Sequence, residues 1–207
     1  VAAFSKKEIA SVLASFSGDI EQVPPVYSAL KHRGVPLYRL ARQGRPVKKP
    51  PRQVHISAIR LIEMNLPEVR FEVSCSAGTY IRTLCADIGK RLGCGGHLKQ
   101  LRRTAACGFL INEAVPLEAL KELAVSGKAV ERMIPMAEAL RDFPEAVAEE
   151  DAVVTIGHGR PLLKQALGPV GGGPKKYIKV VDRDHRLLAI LTSCDGKNTY
   201  DYESVFI

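Results

Sequence analysis

Apolar residues recur near the start of the chain with a helical period. Ile9, Val12, Leu13 and Phe16 fall on one stripe, the spacing of a helix that packs one face on a core. Ser5 with Glu8 fits a capping box, Phe4 with Ile9 a hydrophobic staple, and Gly18 stops the helix. From residue 19 to 52 the pattern dissolves. This stretch reads as a long loop rich in Pro, Gly and basic residues, with a short helical turn between Val35 and Gln43. A connection this long without regular structure is usually functional or disordered. Alternation then sets in. Val54, Ile56, Ile59 and Leu61 predict a strand with a slip of phase near Ala58. Val69, Phe71, Val73 and Cys75, alternating with Arg70, Glu72 and Ser74, predict a second strand, paired to the first around a Met-Asn-Leu-Pro-Glu turn.

At Gly78 the period becomes helical. Ile81, Leu84, Cys85, Ile88 and Leu92 share one face, and the helix ends at Gly93 before a glycine-rich Gly-Cys-Gly-Gly-His-Leu turn. The following Leu-Lys-Gln-Leu-Arg-Arg-Thr-Ala-Ala-Cys-Gly-Phe-Leu-Ile predicts a short helix and then a strand, and two helices are predicted at 116–126 and 135–140. From 143 the character changes. Gly-Pro-Val-Gly-Gly-Gly-Pro-Lys-Lys reads as a flexible connector. Beyond it, two strands flank an Asp-Arg-Asp-His turn and a closing strand spans Thr-Tyr-Asp-Tyr-Glu-Ser-Val-Phe-Ile. The expected class is α+β, with a mixed domain over 1–142 and a small all-β unit over 143–207.

Charge sharpens this picture. The 207 residues carry a net charge of +8. From Tyr27 to Arg60 there are nine Lys or Arg and no acid, whereas Ile111 to Asp151 holds ten acidic and four basic residues. Such polarity points to a surface for a polyanion, with nucleic acid favoured over a merely solvated loop. No apolar run reaches membrane-spanning length. The five cysteines are odd in number and lack a Cys-x-x-Cys pair, which favours reduced, structural thiols in the cytoplasm. Cys94-x-x-His97 is half of a metal site without a second half, so no metal is expected.

The candidate chemistry centres on Cys75-Ser-Ala-Gly-Thr-Tyr-Ile-Arg-Thr-Leu84. Arg82 falls in the first turn of its helix, where the macrodipole disfavours a cation by some tenths of a kcal/mol. It should have an anionic partner. A structural salt bridge, for instance to Glu72, and a role in orienting a catalytic carboxylate or phosphate are equally compatible with the pattern. Asp87, four residues before Arg91, reads as half of a surface ion pair. The chain has no Gly-x-Ser-x-Gly, phosphate-binding loop or histidine cluster. Leu101-Arg102-Arg103 adds two cations suited to phosphate contacts.

Two long motifs, Pro-Pro-Val-Tyr-Ser-Ala-Leu-Lys-His-Arg-Gly through Ala-Arg-Gln-Gly, and Cys-Ser-Ala-Gly-Thr-Tyr-Ile-Arg-Thr through Leu-Arg-Arg-Thr, resemble the bacterial TruB tRNA pseudouridine synthases in order and spelling. The resemblance implies the C-terminal part of that family's mixed-sheet catalytic domain, followed by a small β-barrel-like PUA-type domain. It also implies cofactor-free isomerisation of uridine 55 in the tRNA T loop, by base flipping and covalent aspartate chemistry. Tyr80 and Arg82 match the active-site tyrosine and arginine, and Leu101 the apolar residue that packs on the base. Tyr27, Ser28, Lys31, His32, Arg33 and Arg42, in an RNA-gripping loop over 27–52, and Arg102 and Arg103 would bind RNA. The partners implied are tRNA, at its T loop and acceptor-stem side, and no membrane; the protein is expected to be a monomer.

One departure is large. The family's Gly-x-Leu-Asp-Pro-x-Ala-x-Gly motif, which carries the catalytic aspartate, does not occur, and Val1 is not preceded by methionine. An N-terminal portion is therefore expected to be missing, to act as partner, and to leave this chain inactive alone. The alternatives are a non-catalytic RNA-binding module and a guide-RNA-dependent rRNA synthase relative.

Overall fold

Ser5 opens the first helix, α1 (Lys6–Ala14), as the sequence predicts. Its hydroxyl accepts the Glu8 amide at 3.2 Å while the Glu8 carboxylate accepts the Ser5 amide at 2.7 Å. These bonds, the hydroxyl's donation to the carboxylate first, hold the Glu8 carboxyl below its usual pKa. The computed structural model describes residues 4–168, 170, 176–193 and 196–206. They form two compact units, Val1–Leu101 and Arg102–Ile207.

In the first unit α1 is followed by β1 (Gly18–Gln22), β2 (Lys31–His32), β3 (Val35–Pro36) and α2 (Leu37–Arg42), then by the long strands β4 (Arg52–Asn65) and β5 (Glu68–Cys75) and by helix α3 (Ile81–Arg91). The predicted loop over 19–52 therefore holds a strand, a short hairpin and a helix, while 23–30 and 43–51 remain without regular structure. Strand β1 escapes an apolar pattern because Ile20 is its only apolar side chain, yet its backbone pairs antiparallel with β4 from Gly18↔Ile56 to Gln22↔Arg52. The β2–β3 hairpin turns on Arg33 and Gly34 at φ 49° and 81°, the positive angles of a primed two-residue turn. Helix α2 fulfils the predicted helical turn. Between β4 and β5 the register slips at Ile56/Ala58, where the hydrophobic phase predicts it, and again at Leu61/Glu63.

The sheet order is β1-β4-β5. Ile9, Leu13 and Phe16 of the N-terminal segment meet Ile56 of β4 and Leu84 and Ile88 of α3 in one core, each such burial worth about 1.5–3 kcal/mol. Behind α3 the glycine-rich turn crosses the helix itself. A Cβ on Gly89 would lie 2.2 Å from the Gly95 carbonyl carbon and the Gly96 nitrogen, and the Gly89 carbonyl accepts the amides of Cys94 and Gly95 at 3.2 and 3.0 Å.

The second unit opens with a short hairpin, β6 (Ala105–Ala106) and β7 (Phe109–Leu110), then α4 (Leu117–Val125) and α5 (Met136–Ala139), close to the predicted helices. The helix expected before Thr104 is absent, because residues 97–104 run without regular structure into that hairpin. Next come β8 (Glu145–Val147), α6 (Glu150–Gly157), β9 (Leu162–Leu163), β10 (Tyr177–Val181), β11 (Leu187–Ser193) and β12 (Thr199–Val205), with sheet order β8-β10-β11-β12-β9. Strands β10, β11 and β12 are those predicted; the connector before them lies largely outside the described residues. Helix α6 corrects the all-β expectation for 143–207. Its Ala152 and Ile156, one turn apart, are buried with Val180, Ala189 and Leu191 in the sheet's core, while Glu150 and Asp151 complement its N-terminal dipole.

Among the described residues of this unit, one cation is buried. Lys179 of β10 is 7% exposed, donates to the Ala137 carbonyl at 2.7 Å and pairs with Glu145 at 3.1 Å. No described helix is long and apolar enough to cross a membrane.

Candidate active site

Strand β5 delivers the chain to a turn at Gly78, whose φ of +84° suits glycine. A Cβ there would also stand 3.1 Å from the Arg52 guanidinium. Tyr80 then takes an extended backbone as the N-cap of α3, with no side-chain capping bond. Two side chains compensate. Gln22, at the end of β1 and 1% exposed, accepts the Tyr80 amide on Oε1 at 2.6 Å and donates from Nε2 to the Tyr80 carbonyl at 3.1 Å. Arg52, its cross-strand neighbour on β4, donates to the Gly78 carbonyl and places its guanidinium 5.1 Å from the Tyr80 ring centroid. The Arg52 Nε is buried without a hydrogen-bond partner.

Arg82 lies one residue inside α3 and is exposed. Its Nη2 donates to the Tyr27 main-chain carbonyl at 2.5 Å. Glu72, the salt-bridge partner considered from sequence, instead binds Arg60 at 2.5 Å on the neighbouring strand; no described carboxylate forms an ion pair with Arg82. A guanidinium has five N–H donors, so Arg82 keeps most of its hydrogen-bonding capacity and its charge for an anion. Asp87, expected to pair with Arg91, has no such partner. Arg91 stacks over Phe16 at 5.7 Å, and burial raises the Asp87 carboxyl above its ordinary pKa against the opposing charge of Lys90. Burial likewise pushes the Cys85 thiol up, which keeps it un-ionised.

The basic segment precedes this turn in sequence and is tied to it by the Tyr27–Arg82 bond. Tyr27 is 52% exposed, and Lys31, Arg33 and Arg42 are exposed. Arg42 lies over Tyr38 at 5.7 Å. His32, Arg33 and Arg45, with Val35, Leu40 and Val47, line an open cavity of about 290 Å³. None of the Lys or Arg side chains from Lys31 to Arg52 has a described carboxylate in ion-pair range. Ser28 differs from its neighbours. It is 5% exposed with an unpartnered hydroxyl, and in this conformation it offers no surface to a ligand.

Leu101, 64% exposed, ends the first unit, and Arg102 and Arg103, both exposed, open the second. Among the described residues no group of three His, Cys, Asp or Glu is placed to hold a metal ion.

Residues 1–81 match the sequence profile of the TruB family pseudouridylate synthase N-terminal domain, and residues 82–147 that of the tRNA pseudouridylate synthase B C-terminal domain. The chain belongs to the TruB family. It is 44% identical over 155 residues to tRNA pseudouridine synthase B of Syntrophotalea carbinolica, covering 75% of this chain and 50% of that protein. It is 40% identical over 188 residues to the synthase B of Burkholderia lata, covering 91% of this chain and 58% of that protein. The chain thus spans between half and three fifths of the length of these relatives. Among solved structures it resembles a chain in the crystal structure of a Cbf5-Nop10-Gar1 complex, with TM-score 0.77, 25% identity and coverage of 100% of this chain and 63% of that one. A chain in an H/ACA RNP bound to a substrate RNA containing 2'-deoxyuridine shares the fold, with TM-score 0.77, 23% identity and coverage of 100% and 62%. The mixed α+β architecture is that of the pseudouridine synthases.

In this TruB chain the sequence pattern finds Tyr80 and Arg82 but misses the two residues that grip their turn. Gln22 was invisible because a buried polar side chain breaks the apolar alternation that marks strands. Arg52 was submerged in a run of basic residues.

Proposed function

We propose that this chain is part of an enzyme that isomerises uridine 55 in the T loop of tRNA to pseudouridine in the cytoplasm. The observation that carries the reading is Arg82: a cation at the first turn of α3, beside Tyr80 in the family's motif, anchored by a main-chain carbonyl and bound to no described carboxylate. A target base must leave its stack before chemistry reaches it, and a carboxylate nucleophile must be held and oriented. Arg82 supplies the orienting cation, for an aspartate lying outside these 207 residues. Tyr80 sits beside the base and that pair, and Leu101 packs on the base. Residues 1–142 belong to the catalytic domain. Within them the segment 27–52 grips phosphates through Lys31, Arg33 and Arg42, with Tyr27, Ser28 and His32 on the same segment, and Arg102 and Arg103 also bind RNA. Residues 143–207 act as a PUA-type domain on the acceptor-stem side, and neither metal nor organic cofactor takes part.

The structural neighbours include Cbf5 complexes, which raises a guide-dependent reading. Identities of 40–44% to synthase B proteins against 23–25% to those neighbours favour the stand-alone tRNA enzyme. The test is tritium release from tRNA labelled at uridine C5, using protein expressed from the full reading frame that encodes this chain. Release from a wild-type transcript and none from one with cytidine at position 55 is expected. Tight tRNA binding without release would leave a non-catalytic RNA-binding module.

A further inference from the structure

The turn that carries Tyr80 is held from below by one buried amide. Gln22 ends β1 with almost no exposed surface, so it cannot touch a substrate. Its carboxamide nevertheless engages both main-chain polar atoms of Tyr80, accepting the N–H at 2.6 Å and donating to the C=O at 3.1 Å. This two-point grip fixes the peptide planes on either side of the Tyr80 Cα. The Tyr80 carbonyl also accepts the Leu84 amide at 3.0 Å, so the same grip sets where α3 begins and where Arg82 projects. The chemistry selects glutamine. A carboxylate only accepts and would face the Tyr80 carbonyl with a like partial charge. An aliphatic side chain would leave a buried N–H without its partner, at a desolvation cost.

We propose that Gln22 is a positioning residue for the Tyr80–Arg82 pair, acting on turnover through the backbone of Tyr80 and not on RNA affinity. The inference rests on the pseudouridine synthase reading of those two residues. A shift of about 1 Å at a reacting group costs on the order of 100-fold in rate, which sets the size of effect expected from releasing the turn.

The experiment uses protein from the full reading frame with Gln22→Leu and Gln22→Glu. Amide hydrogen exchange should show the Tyr80 N–H of Gln22→Leu exchanging roughly 10-fold faster or more, with the amides of Ile9, Leu13 and Ile88 unchanged. Single-turnover tritium release should fall on the order of 100-fold, with the tRNA Kd unchanged within twofold. Gln22→Glu should be slow at neutral pH and recover as pH falls, because a protonated carboxyl regains a donor for the Tyr80 carbonyl. Wild type should show no such recovery. That pH rescue decides the matter if Gln22→Leu fails to fold. Wild-type turnover in Gln22→Leu, a weakened Kd at unchanged rate, or a Gln22→Glu profile parallel to wild type would each overturn the proposal. Absence of turnover in wild type would instead refute the synthase reading, and the exchange rate at Tyr80 would then judge the grip by itself.

Discussion

Two regions of this molecule treat their cations in opposite ways. In the C-terminal unit three cations are neutralised locally. Lys179 meets Glu145, Arg183 meets Glu149, and Arg141 meets Glu113 at 2.7 Å while lying over Phe109 at 4.1 Å. Around the Tyr80 turn, Arg52 and Arg82 are anchored by main-chain carbonyls of Gly78 and Tyr27, and the basic segment between Lys31 and Arg52 has no described ion pair. A carbonyl orients a guanidinium without cancelling its charge. The difference separates cations that hold a fold from cations left free for an anion, within one chain of net charge +8.

The strongest way to break the comparison is at Arg82. Where the proposed pair of Arg82 with a carboxylate is buried in the intact protein, Arg82→Ala is expected to cost turnover about 3–5 kcal/mol, or roughly two to almost four decades in rate. The tRNA Kd, measured by filter binding, should move little. A rate near wild type would place Arg82 with the structural cations. Next in size is Lys179→Met, which takes from the partly buried Glu145 its nearer cation and leaves it only His185 Nδ1 at 3.6 Å. It should lower stability in urea by about 3 kcal/mol, and pairing it with Glu145→Leu should restore most of the loss, the behaviour of a cation that serves only the fold. Non-recovery in the double variant would show that the pair does more than neutralise itself.

Gly89→Ala comes third. Its Cβ would meet the Gly95–Gly96 backbone at 2.2 Å, and overpacking of this kind costs about 1–3 kcal/mol. Because that backbone leads to Leu101, the rate should fall together with the melting temperature. The smallest effect belongs to Asp87. Burial raises its carboxyl pKa in the fold, so its contribution to stability is fully present below the unfolded value near 3.8 and is lost as pH rises through the folded value. Asp87→Asn should therefore stabilise at pH 7 by no more than a few tenths of a kcal/mol, since the group is mostly solvent-screened. Melting curves should show the gain vanishing below about pH 3.8. A gain that persists in acid would reverse the assignment.

What was legible in the sequence follows from what side-chain patterns encode. The capping box of α1, the slip in β4, the strand pair β4–β5 and the helix α3 all announce themselves through apolar periodicity or cap chemistry. Strand β1 does not, because Ile20 is its only apolar side chain, and the strands of the β2–β3 hairpin are two residues each, too short to show a period. Helix α6 hid for a different reason: its acidic first turn merged with the acidic stretch before it. At the candidate site the sequence singles out Tyr80 and Arg82 as motif residues. It does not single out the Tyr27 carbonyl, Gln22 or Arg52, because a contact made to main chain from 26 to 58 residues away leaves no local spacing to detect.

The contrast between free and paired cations is tested most directly by the salt dependence of tRNA binding in two charge-matched triple variants. One neutralises Lys31, Arg33 and Arg42 to glutamine; the other neutralises Arg60, Arg70 and Arg183, which are paired with Glu72, Glu63 and Glu149. Each lost phosphate contact should reduce the slope of log K against log salt by about 0.7–0.9. The first variant should therefore lose about two units of slope, while the second keeps the wild-type value. Equal slopes in the two variants, or no change in the first, would contradict the account.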